Sequence, residues 1–227
     1  MTQTESLDEI RAEVARVARM LSAARLVEAF GHVSARIGLG FAITSVSPML
    51  RATADDVILV DAHAGPVDGS TNMAPLETPM HAAVYAARPD VGGICRGHPC
   101  YTVDWGVGNE DLPLMHGLGG LAGHPVRVHD DIELITTPAQ GARVAQTLGH
   151  DSSVILRANG ALSVGGNPIE AATRLFFLEE RARVAARTSA MPKTDAFNWE
   201  GRLEHSVPEL VRAMAWFAAR FGDGPET

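Results

Sequence analysis

Apolar residues recur at helical spacing from the start of the chain. Leu7, Ile10, Val14, Val17, Leu21 and Ala24 stand three or four positions apart, with polar residues between them. That period gathers the apolar groups on one side of a helix. The preceding Ser6-Leu7-Asp8-Glu9 has the form of a capping box, and Gly31 is a plausible stop. The pattern then shortens. Gly38 to Val46 and Asp56 to Asp61 read as strands, the second an apolar run, VILVD. Glycine, proline and asparagine between 62 and 74 mark a loop. Glu77 to Arg88 reads as a short helix with Met80, Val84 and Ala87 as its apolar stripe, stopped by Pro89-Asp90. Val91 to His98 is a strand.

In the second half, the four glycines of Gly117 to Gly123 require a loop or tight corner, and Pro125 to Val128 is a short strand. Thr137-Pro138 supplies an N-cap and a first-turn proline for a helix to Leu148. Ser153 to Arg157 and Ala161 to Val164 flank the turn Ala158-Asn159-Gly160 as a hairpin. Asn167-Pro168 opens a long helix to about Arg187, on which Arg181 and Arg183 read as a solvated face. Ser206-Val207-Pro208-Glu209 caps a last helix ending near Phe221. Strands and helices alternate irregularly. We expect one α/β domain over residues 1–222, with a largely antiparallel sheet and helices on its faces, and a disordered tail at 223–227.

Composition narrows the function. Of 227 residues 46% are hydrophobic, enough for one substantial core. The net charge is −8 with no basic face, so duplex nucleic acid is not an expected partner. All but one of the 19 basic residues are arginine, and Lys193 lies in the polar stretch TSAMPKTDAF. Schiff-base and PLP chemistry need a desolvated lysine, so PLP is not expected. NAD is not an expected cofactor either. Cys95 and Cys100 form neither a disulfide framework nor a CxxC pair, which points to a reduced, cytoplasmic protein. No apolar run approaches the ~18–20 residues of a membrane span, and the acidic N-terminus is unlike a signal peptide.

The candidate chemistry lies in five side chains. Glu77 and His81 are one helical turn apart and share a face. Arg96 and His98 alternate in a strand, so they share a face as well. Asn159 sits at the turn between two strands. Where strand ends approach the helix start, these groups can meet. The unit GHVSAR, residues 31–36, is compact and polar and reads as a substrate-facing loop.

GHVSAR, PLETPMHAAVYAARPDVGGICRGHP and ILRANGALSVGGNPIEAATRLFFLEE together resemble the class II aldolase/adducin family over about residues 7–188. The resemblance implies a three-layer α/β/α fold with a mainly antiparallel central sheet, and a homo-oligomer, a tetramer favoured. It places the catalytic glutamate at Glu77. The three histidines that hold a divalent metal in this family fall on Arg96, His98 and Asn159, leaving His98, with Glu77, for Zn, Mn, Co or Fe. The phosphate loops of sugar-phosphate aldolases correspond to SVSPMLR and MAPLET, where Pro75-Leu76 offers no side-chain donor. A non-phosphorylated small-molecule substrate is therefore expected, and GHVSAR is similar to members acting on hydroxy-aromatic or other acids, decarboxylases among them. The expectation is a carbon–carbon lyase, with Glu77 moving a proton, Arg96 receiving negative charge and His98 positioning an oxygen. Asn159, His32, Ser34 and Arg36 would bind the substrate. The alternatives are a metal-assisted aldolase for a small hydroxy-keto acid and a non-catalytic adducin-like binding module.

Overall fold

The computed structural model describes residues 6–67, 69–108, 110–191 and 199–222. Lys193 and the tail expected at 223–227 lie outside them. The strands are β1 (His32–Ile37), β2 (Gly40–Thr44), β3 (Val57–Val60), β4 (Gly93–Gly97), β5 (Arg127–His129), β6 (Ser153–Leu156) and β7 (Gly160–Gly165). They form one sheet in the order β3-β2-β1-β4-β7-β6-β5. Every neighbouring pair is antiparallel except β5–β6, which is parallel, so the sheet is mixed. The helices are α1 (Leu7–Ala23), α2 (Thr78–Ala87), α3 (Cys100–Gly108), α4 (Pro138–Leu148), α5 (Pro168–Thr188), α6 (Trp199–Leu203) and α7 (Ser206–Phe221).

Strand alternation builds the three layers. Val33, Ala35 and Cys95 point to one face, where they pack with Val14, Leu21, Leu175 and Leu178 of α1 and α5. Ile43, Ile94 and Leu162 point to the other, against Met80 and Val84 of α2 and Val144 of α4. Among the described residues, no helix is long and apolar enough to cross a membrane.

The unit GHVSAR is not a loop. Its residues 32–36 belong to β1, with Val33 and Ala35 in the α1–α5 core and His32 and Ser34 equally buried on the α2 side. Polarity suggested exposure, whereas these polar groups are partnered under a helix. Arg181 also differs from the expected solvated face: it is fully buried, and its guanidinium donates to the backbone carbonyls of Leu112, Pro113 and Gly123. A guanidinium has enough donors to hold a glycine-rich corner in this way.

Helix α3 was not anticipated from sequence because its cap comes from elsewhere in the chain. The Glu179 carboxylate on α5 accepts the Tyr101 and Thr102 amides at 2.9 Å each and the Thr102 hydroxyl at 2.8 Å. At the turn of the β6–β7 hairpin, Gly160 has φ +100°, and a side chain there would overlap the Gly97 carbonyl oxygen. That close approach holds the β7 turn over the end of β4. Glu179→Ala is expected to cost about 1–2 kcal/mol, the usual loss for an N-cap. Urea unfolding followed by circular dichroism measures this, and an unchanged midpoint would mean α3 does not need the cap.

Candidate active site

The site forms where β1 begins and β4 ends, beneath the start of α2. His32 and Arg96 are direct cross-strand partners. Glu77 is the N-cap residue of α2, and Glu77, His81 and Tyr85 follow one another at single-turn spacing above the strands. The cavity here is about 440 Å³ and is lined by Glu77, Arg96, His98, His32 and Asn159, with Phe30, Val46, Leu76 and Leu134 among its apolar walls. A groove of about 600 Å³ along α2 and α4 is larger, but its lining is mostly alanine and carries no such cluster.

At the cavity floor, Arg96 is fully buried and its Nε donates to Glu77 Oε2 at 3.1 Å. Its Nη1 donates to the Gly97 carbonyl at 2.5 Å, while Nη2 has no partner. His32 Nε2 meets the same Glu77 oxygen at 3.3 Å; Glu77 Oε1 has no partner at hydrogen-bond geometry, and the Ile135 backbone amide also helps to keep the carboxylate ionised. Burial alone would raise the Glu77 pKa. The hydrogen bond from His32 and the Arg96 charge outweigh it, and the value falls to about 2. Burial pulls the Arg96 guanidinium down while Glu77 pulls it up; the group stays charged, since arginine is not deprotonated in proteins. His98 Nδ1 lies 3.0 Å from the Phe30 carbonyl, which can only accept, so that nitrogen carries the proton and Nε2 is bare. Burial, then the Arg96 charge, lowers the His98 pKa to about 4.

Glu77, Arg96, His98, His32 and Asn159 thus meet at one cavity. Ser34 and Arg36 do not reach it, contrary to their expected substrate-binding roles. Ser34 Oγ bonds His81 Nδ1 at 2.7 Å and the Tyr85 hydroxyl at 2.8 Å. Arg36 shares the strand face of His32 but lies about 13 Å further along it. Its guanidinium donates to the Tyr85, Arg88 and Val91 carbonyls at 2.7–2.9 Å, closing the end of α2. Tyr85 was missed in the sequence, although its spacing from Glu77 and His81 marks a polar stripe on α2. The apolar rim was missed too: Phe30, Val46 and Leu76 come from three separate loops.

The residues present do not fit the expected divalent metal. Among the described residues, no group of three or more His, Cys, Asp and Glu is arranged to hold one. The buried Arg96 guanidinium beside Glu77 repels a cation. It also engages the only carboxylate in the cluster, leaving His98 Nε2 and Glu77 Oε1 as donors, with an amide at Asn159.

Comparison with known proteins agrees with this architecture. The family described as Class II Aldolase and Adducin N-terminal domain matches residues 12–186. A 3,4-dihydroxyphthalate decarboxylase of Terrabacter sp. (strain DBF63) is 29% identical over 198 residues, covering 78% of this chain and 80% of that protein. A 5-methylthioribulose-1-phosphate/5-deoxyribulose-1-phosphate aldolase of Escherichia coli O45:K1 (strain S88 / ExPEC) is 25% identical, covering 81% and 80%. The structure of an L-fuculose 1-phosphate aldolase superposes with a TM-score of 0.80 at 20% identity, over 93% of this chain and all of that one. With its sheet order, its layered helices and a family match across most of its length, the chain belongs to the class II aldolase and adducin family.

Proposed function

We propose that the protein is a carbon–carbon lyase that decarboxylates a non-phosphorylated hydroxy acid, with a hydroxy-aromatic acid the best fit. The observation that carries this reading is the buried Arg96 guanidinium, paired with Glu77 and keeping Nη2 free at the cavity floor. Decarboxylation moves an electron pair from the breaking bond toward a neighbouring oxygen. A fixed cation in a water-poor site stabilises that charge. The apolar walls suit a ring, and Pro75 and Leu76 present no side-chain donor to a phosphate.

In the balanced reaction, Glu77 Oε1 accepts the proton of the hydroxyl ortho to the carboxylate and delivers it to the ring carbon that bears the carboxylate. The bond to carbon dioxide then breaks, and its electron pair restores the ring, with the charge on the oxygen that Arg96 holds. One proton from solvent neutralises that oxygen. His98 Nε2 accepts a substrate hydroxyl, and the Asn159 amide hydrogen-bonds the acid. A tetramer, with a neighbouring subunit covering the exposed rim at Phe30, Val46 and Leu76, belongs to the same proposal.

A second reading, aldol cleavage of a small hydroxy-keto acid, draws support from the 25% identity to an aldolase and would use the same sink. A panel of ortho-hydroxy aromatic acids and hydroxy-keto acids separates the two. Carbon dioxide release from the first group is expected, and a keto-acid product from the second would replace this reading.

Chelation is expected to leave turnover unchanged, measured as carbon dioxide release before and after dialysis against EDTA. Loss restored by a divalent ion would overturn the role given to Arg96. Glu77→Gln is expected to lower kcat by at least ~10²-fold, the usual contribution of a general acid or base. An unaffected ligand affinity with no turnover in either protein would instead favour a binding module.

The pH profile follows from the same groups. Glu77 is ionised well below neutrality, and His98 stays neutral until about pH 4. Lowering the pH through that value protonates His98 Nε2 and removes the acceptor. The acid limb of kcat/KM is therefore expected near pH 4, with no break at the ordinary histidine value.

A further inference from the structure

Behind Glu77 runs a buried chain of hydrogen bonds that the proposed reaction does not use. His32 Nδ1 meets His81 Nε2 at 2.7 Å, His81 Nδ1 meets Ser34 Oγ at 2.7 Å, and Ser34 Oγ meets the Tyr85 hydroxyl at 2.8 Å. Both rings and Ser34 are buried, and Tyr85 is 6% exposed. Each link holds one proton, so the direction of donation can be worked out from the ends.

At one end the carboxylate of Glu77 is ion-paired with Arg96 and only accepts. His32 Nε2 must therefore carry a proton. A neutral ring then has a bare Nδ1, which requires a proton on His81 Nε2. His81 Nδ1 is in turn bare and accepts from Ser34. Having donated its single proton, Ser34 accepts from Tyr85. The reverse direction fails at both ends. It needs Glu77 protonated in the resting protein, where Arg96 and His32 keep the carboxylate ionised and a proton is carried only transiently during turnover, and it turns the Tyr85 proton away from Ser34 inside a buried site, where a lost partner costs about 1–3 kcal/mol. Burial disfavours charge on either ring.

We propose that Ser34 and His81 are positioning residues, which hold His32 in the tautomer that donates from Nε2 to Glu77. Oε2 is then occupied by His32 and Arg96, and protons enter and leave Glu77 through Oε1 alone. Tyr85 terminates the chain and keeps the Ser34 proton aimed at His81. This rests on Glu77 being the acid–base group, but its test needs no substrate.

The test is a long-range proton–nitrogen correlation spectrum of the ¹⁵N-labelled, ligand-free protein at neutral pH. It reports which nitrogen of each histidine carries the proton. His32 and His81 are expected neutral and protonated at Nε2. Protonation at Nδ1, or at both nitrogens, in either ring overturns the proposal. In Ser34→Ala the His81 Nδ1 signal loses its hydrogen bond and should move further out, toward the free pyridine-type position, and Ser34→Thr should restore it. An unmoved signal in the alanine variant removes Ser34 from the role. Should the variants not fold, the spectrum of the unaltered protein still decides the direction. Inactivity across the acid panel would count against the reaction, whereas the spectrum supports or overturns the hydrogen-bond chain independently of turnover.

Discussion

The site depends on the pairing of Glu77 with Arg96. Neither charge is tolerable alone at that depth, since an isolated buried ion costs several kcal/mol. Together they remain charged, and the geometry follows from that. The cross-strand contact of His32 with Arg96 brings the imidazole to the same carboxylate oxygen. The start of α2 must sit directly over the strand ends to supply Glu77. Such a pair is weak evidence for stability, because well-packed apolar groups commonly do as well. Its position beside a cavity is better understood through the groups it leaves without a hydrogen-bond partner, Glu77 Oε1 and Arg96 Nη2.

Local signals in the sequence reached as far as local forces do. The capping box at Ser6, the N-cap at Thr137 and the prolines at 138 and 168 start helices in the structure where the pattern places them. Strand alternation put Arg96 and His98 on one face. What stayed hidden depends on distant partners. Helix α3 is capped from α5, so residues 100–108 carry no cap of their own that marks its start. His32 and Ser34 looked like loop residues because polar side chains usually seek water, and only the overlying α2 shows where their hydrogen bonds go. Arg36 was drawn into the site by its neighbours in GHVSAR, although four residues of strand carry it to the other end of α2. The parallel β5–β6 pair could not be read either, since register between short strands is set by the whole sheet.

The cavity divides into two regions. Its floor holds a cation, a carboxylate and neutral imidazoles, and its walls present Phe30, Val46, Leu76 and Leu134. Polar recognition is concentrated at one end, which fits a ligand with adjacent oxygens on one edge and an apolar body. The rim is unusually open for such walls: Phe30 is 77% and Leu76 70% exposed. Apolar groups left in water beside a charged floor gain by being covered, either by the ligand or by a neighbouring protein surface.

A guanidinium as the charge acceptor, in place of a metal, would also limit the chemistry on offer. A divalent ion polarises an oxygen directly and contributes several kcal/mol of charge stabilisation. One preorganised donor contributes about 3–4 kcal/mol. On the proposed reading, the reaction is therefore one in which the substrate carries part of the burden. An ortho-hydroxy aromatic acid does so, because the charge released by loss of carbon dioxide is delocalised from ring carbon to oxygen as aromaticity returns. A simple aldol cleavage has no such internal sink and relies more heavily on the catalyst. The buried cation at Arg96 on the cavity floor and the apolar walls above it thus favour the same substrate for separate reasons, one electronic and one of shape.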